Sequence, residues 1–145
     1  MKKIPGLSHY SRFILLAIVM AVTFSCEKPV TPAPTSYDII INTADVTNGN
    51  LVLSDGDTTE ARRGDEINWS INAANVSAFR IEKKGFFVHN IFVNPPGNSN
   101  AKNVQARIKS GLWFNYKYEY NIIWSDTSGT EHTYDPLISI KPRAN

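Results

Sequence analysis

Two histidines stand beyond the N-terminal segment, His89 and His132, and Asp126, Glu131 and Asp135 crowd the second in sequence. Imidazoles and carboxylates are the usual oxygen and nitrogen ligands of zinc, and a histidine beside a carboxylate is also part of a hydrolytic relay. The spacing matches no recognised zinc pattern. His89 and His132 are therefore expected on different strands as surface or core residues, with no metal and no cofactor. The acidic stretch 55–60 (DGDTTE) invites calcium but lacks the spaced oxygen ligands and closing glutamate of an EF-hand loop, so it reads as a solvated turn. There is no Gly-x-Ser-x-Gly elbow, no His-Glu-x-x-His and no phosphate-cradling glycine loop. No catalytic residue is assigned, and the chain is expected not to be an enzyme. The rival reading is an accessory hydrolase or enzyme subunit whose serine, histidine and aspartate lie far apart in sequence.

Aromatic residues offer a different chemistry. Trp, Tyr and Phe make up 11% of the chain, and Trp113-Phe114 follow Ser110-Gly111 in what reads as a bend. An exposed ring pair would stack on a sugar face or dock an apolar protein partner, which makes Trp113 and Phe114 the candidate ligand-binding residues. The competing reading is that these rings fill a core that has no disulfide to help it.

The only cysteine, Cys26, ends the apolar run 13–24 (FILLAIVMAVTF) that follows a basic start with Lys2, Lys3 and Arg12. A membrane-spanning helix needs about 20 such residues, and this run has the length of a signal-peptide core. The join Thr23-Phe24-Ser25-Cys26 resembles the lipobox of bacterial lipoproteins. Ser25 fits that pattern, whereas Thr23 and Phe24 are not its preferred types. The resemblance implies acylation of Cys26 and a lipid anchor in a bacterial cell envelope, on an outer membrane or a periplasmic face. Residues 27–36 (EKPVTPAPTS) carry three prolines, which lack an N–H and fix φ, so they read as an extended spacer. The expected organisation is a signal over 1–25, acylated cysteine and tether over 26–36, and one folded domain over 37–142.

Processing at Cys26 changes the charge. The full chain carries 15 basic and 13 acidic residues, but Lys2, Lys3 and Arg12 precede the cysteine, which leaves 12 against 13 and a net −1. A nucleic-acid partner is not expected, and long-range steering to anionic lipid loses its motive.

From residue 37 onward the dominant pattern is alternation with period two. Ile67, Trp69 and Ile71 oppose Asn68 and Ser70, and Tyr116, Tyr118, Tyr120, Ile122 and Trp124 form the longest stripe. Asn48-Gly49 and Asp55-Gly56 read as hairpin turns. Residues 86–93, apolar on both faces, read as a buried central strand. No window shows capped helical periodicity. The expectation is an all-β, antiparallel immunoglobulin-like sandwich of seven or eight strands.

Residues 63–69 (RGDEINW) resemble the strand start of cupredoxins and of immunoglobulin-like domains. The first resemblance would imply copper, but a blue-copper centre needs a cysteine thiolate and usually an axial methionine. The only methionines are Met1 and Met20 and the only cysteine is Cys26, so such a site is excluded. Trp69 is expected to anchor the core. The stretch 118–142 resembles the closing hairpin of small bacterial β-sandwich proteins, and Asp57-Thr58-Thr59 resembles a bacterial O-glycosylation acceptor.

Overall fold

The computed structural model describes residues 32–85, 89–97 and 99–142. The segment expected to be a signal, Cys26 and the start of the expected tether lie outside them. Nine strands form two sheets and there is no helix among the described residues. They are β1 (Ser36–Asp45), β2 (Asn50–Leu53), β3 (Thr58–Arg62), β4 (Glu66–Ile71), β5 (Val76–Lys83), β6 (Asn103–Arg107), β7 (Tyr116–Asp126), β8 (Glu131–Tyr134) and β9 (Leu137–Lys141). One sheet runs β2-β1-β4-β6, and the other runs β3-β9-β7-β5 with β8 also on β7.

The period-two pattern sorts side chains as the sequence suggests. Ile39, Ile41, Ile67 and Trp69 face inward from the first sheet, and Phe79, Ile81, Tyr118, Tyr120, Ile122, Trp124, Ile138 and Ile140 from the second. Burying these faces together is what holds the sheets, since apolar area removed from water contributes roughly 25 cal/mol per Å². Trp69 sits at the centre. Its ring meets Phe92 at 6.0 Å and Tyr120 at 5.8 Å, both edge-on, and its Nε1–H donates to the Tyr120 hydroxyl at 3.2 Å across the sheets. That bond gives a buried indole the partner it needs. Burial also pushes the Tyr120 hydroxyl well above the ordinary phenol range.

Four expectations need correction. The sheets are mixed, because β1 pairs with β4 and β3 with β9 in parallel. Asn48-Gly49 does close the β1–β2 hairpin, but Asp55-Gly56 carries the chain from one sheet to the other. The supposed acidic turn at 55–60 runs into β3, whose inward residues are only Thr59 and Ala61. A small methyl and a threonine give no hydrophobic signal, so the alternation was invisible in sequence. Finally, residues 89–93 are not a strand. Ile91 and Phe92 are buried consecutively, and the segment touches the edge beyond β6 through Val93 N–H to Arg107 O and Lys109 N–H to Ile91 O. Its apolar character on both faces comes from a plug under Trp69 and Tyr118 rather than from a central strand.

Pro136 explains why β8 and β9 are separate. Both run antiparallel to β7, β8 against residues 122–125 and β9 against 116–119. A proline between them has no N–H to give the ladder, so the strand breaks there.

Candidate functional site

Register defines two ends of the sandwich. Ser36 pairs with Glu66, Glu66 with Arg107, Tyr116 with Ile140, and Arg62 with Lys141. These pairs lie at one end, called here the near pole, where the chain from residues 32–35 joins β1. The far pole holds the β1–β2 turn and the β7–β8 turn.

The far pole contains the histidine with its carboxylate. His132 stacks on Trp124 with ring centroids 4.2 Å apart, and its Nε2 lies 3.4 Å from Asp126 Oδ2. Asp126 also accepts the Ser128 hydroxyl at 2.6 Å and the N–H groups of Ser128 and Thr130 at 2.8 and 2.9 Å. The Ser128 hydroxyl, then those backbone and imidazole donors, hold its carboxyl down at about 2. The serine hydroxyl thus points to the carboxylate and not to the imidazole, an order that does not form a nucleophile–base pair. Glu131 and Asp135 do not join this group. Glu131 pairs with Arg80, and Asp135 with Lys84, both cations coming from β5 and the turn after it.

His89 lies elsewhere. Its N–H donates to the Tyr116 hydroxyl at 3.0 Å at the near pole. Tyr116 and Trp124 are eight residues apart on β7, about 26 Å at the rise of a strand, so the two histidines occupy opposite ends. Among the described residues no three His, Cys, Asp or Glu side chains gather as a metal site. In the stretch 55–60, the Asp55 carboxylate accepts the Thr59 hydroxyl and Asp57 accepts the Tyr134 hydroxyl. These bonds turn the two aspartates toward protein donors. Thr58, the would-be glycan acceptor, is exposed.

The near pole is built around Asp65, which is only 1% exposed. Its carboxylate accepts the N–H of Thr35 at 2.9 Å and of Arg62 at 2.8 Å. Its carbonyl accepts the N–H of Ile108 at 2.8 Å, while Gly64, at φ +81°, donates to Ile108 O at 3.1 Å. A positive φ costs glycine nothing, so the β3–β4 turn can fold back tightly onto β6. One aspartate thereby fastens the incoming chain, the β3–β4 turn and the end of β6 to one another.

The loop 109–115 is anchored at that same end, by Ile108 on one side and by Tyr116, paired with Ile140, on the other. It carries Trp113, 87% exposed, and Phe114, 77% exposed. Trp69 and Trp124 are fully buried by contrast. Thus the candidate ring pair is outside the core, while the tyrosine stripe is inside it, with Tyr118 and Tyr120 almost wholly covered. At the same end lie Arg62, Arg107 and Lys141, all exposed, and Lys109, whose Nζ donates to Asn90 O. Sequence reading missed these cations as a group, because they come from three strands and a loop and converge only through register.

Two open clefts lie on the sheet surfaces. One of about 500 Å³ is lined by Asp38, Asn68, Asn103 and Gln105 among others, and one of about 430 Å³ by residues of β2 with Asp57 and Tyr134. Neither includes His132, Trp113 or Phe114.

No protein-family pattern matches the chain, and no curated protein matches it either. Among solved structures it is similar to a reduced copper(I) form of an amicyanin mutant, at 11% identity and TM-score 0.39, over 78% of this chain and 87% of that one. It is similar also to a heme-copper terminal oxidase dimer, at 11% identity and TM-score 0.36, over 91% of each chain. At such scores neither likeness assigns copper, haem or an activity here, and residues 32–142 contain no cysteine or methionine to complete a blue-copper ligand set.

Proposed function

We propose that this chain is a lipid-anchored protein of a bacterial cell envelope, tethered through Cys26, whose β-sandwich is a non-catalytic binding module. The observation that carries the binding part is the exposure of the consecutive residues Trp113 and Phe114, at 87% and 77%, where the other large rings among the described residues are buried or half-buried. Two adjacent rings left in water are a standing cost unless a partner covers them. The tethering part rests on the apolar run, the lipobox-like join at Cys26 and the proline-rich spacer.

The anchor is tested by Cys26→Ala. Acyl labelling and membrane retention should be lost, while the β domain still folds. A variant that fractionates with membranes as the parent does would reject the anchor. The binding site is tested separately by Trp113→Ala in the acylated protein: partners recovered from the native envelope with the parent should be depleted, with the fold unchanged by near-UV circular dichroism. Equal recovery would remove the loop from the reading.

A further inference from the structure

We infer that the near pole is a docking surface for an anionic phospholipid bilayer, so that the domain lies on the membrane with the Trp113–Phe114 loop inserted at the interface. This deepens the reading above and rests on its lipid anchor.

Charge is the first argument. Residues 32–142 carry ten basic and twelve acidic side chains, a net −2. The two outermost rungs of the near pole and the loops beyond them hold five of the basic ones: Arg62, Arg63, Arg107, Lys109 and Lys141. They hold only two acidic ones, Asp65 and Glu66. By rungs that end is net +3 and the remainder, with five basic and ten acidic residues, net −5; with Glu60, whose carboxylate lies on Lys141, counted at that end, the split is +2 and −4. Asp65 is moreover buried and occupied with backbone donors. Lys141 pairs with Glu60 and Arg107 with Glu66 at 3.8 Å, but these are surface pairs that anionic headgroups can replace at little cost. A uniformly charged domain has no preferred face toward a negative surface, whereas this one does.

The second argument is the ring pair. Tryptophan settles at the membrane–water boundary, where its ring is half in hydrocarbon and its N–H stays wet, and phenylalanine inserts beside it. Cations around an apolar tip are the pattern of a surface that binds acidic headgroups while burying a few rings. A soluble partner would meet the same rings, but nothing about it would require the positive end to be the one that carries them.

Reach is the third. Ten residue-to-residue steps lead from Cys26 to Ser36, so the near pole sits no more than about 35 Å of extended chain from an acylated cysteine. The far pole is a further strand length away, about 36 Å along the 11 residues of β7. Asp65 holds Thr35 and, through Ile108, the root of the loop, so chain and rings leave the domain at the same end.

The test uses the acylated protein purified from its envelope and reconstituted into vesicles of phosphatidylcholine with or without phosphatidylglycerol, the acyl chains brominated. Trp69 and Trp124 are buried, so Trp113 is the tryptophan that bromine can reach. Its emission should be lost in phosphatidylglycerol vesicles, and the loss should be absent from Trp113→Ala. A doubly reversed Arg62→Glu, Lys109→Glu protein, with unchanged near-UV circular dichroism, should show the ratio of docked to undocked domain lowered by about tenfold or more. An intact mass on the same sample reports acylation. An acylated protein with unquenched Trp113 overturns the docking and leaves the anchor standing; an unacylated protein overturns both. Equal quenching with and without phosphatidylglycerol, or a Trp113 response to envelope polysaccharide or protein but not to lipid, also overturns it.

Discussion

The two poles of this sandwich use aspartates in turns to opposite effect. At the far pole Asp126 gathers Ser128, Thr130 and His132, and Asp45 gathers Thr47 and Asn48, so donors and acceptors are satisfied among themselves. At the near pole Asp65 is sunk beneath the surface and satisfied by backbone. Its negative charge is therefore inside, while Arg62, Arg107 and Lys141 and the two rings of the loop remain outside. The difference shows that a turn's chemistry depends on depth. A surface aspartate closes a turn and leaves the region polar, whereas a buried one closes several segments and leaves their cations to face outward.

The comparison breaks most severely at Asp65. Asp65→Ala leaves two backbone N–H groups without their acceptor, and each buried unsatisfied donor costs about 1–3 kcal/mol. Urea or thermal unfolding should show a loss of about 2–4 kcal/mol. A change under about 0.5 kcal/mol would mean that the near pole is not fastened there. A smaller loss is expected from His132→Ala, which removes a ring stacked on Trp124; aromatic pairs of this kind contribute about 0.5–1.5 kcal/mol beyond burial. The same variant should leave Trp113 emission untouched, because the poles are a strand length apart.

Acid sharpens the contrast further. Asp126 has its pKa lowered from 3.8 to about 2. On acidification the unfolded chain takes up this proton first, so the contribution is complete above about pH 4 and fades as pH falls toward 2. Asp126→Asn should therefore melt below the parent at neutral pH, with the gap closing across that window. A gap that stayed constant with pH would reject the assignment. The smallest effect on stability belongs to Trp113→Ala, within about 0.5 kcal/mol, since an exposed ring contributes little to folding. Its melting temperature should match the parent even where its partner binding does not.

Much of the architecture was legible because burial on one face of a strand leaves a period of two. Trp69, Tyr118, Tyr120 and Trp124 are inside as their stripes required. Legibility failed where the inward residues were small or polar, as in β3 with Thr59 and Ala61 and β8 with His132 and Tyr134. It failed also at Ile91-Phe92, where consecutive buried residues came from a loop plug and not from a strand.

By itself the sequence determined that the domain is all-β, that residues 32–142 hold no cysteine, and that their charges nearly cancel. Composition and periodicity are sums along the chain, so they survive without coordinates. Tertiary structure decided where the charges go. Arg62, Arg107 and Lys141 are distant in sequence, and only the parallel and antiparallel registers bring them to the end that carries Lys109, Trp113 and Phe114. A net charge near zero suggested a surface with no electrostatic preference. The fold separates that same charge into a positive pole and a negative remainder, because register fixes position along the sandwich and composition does not.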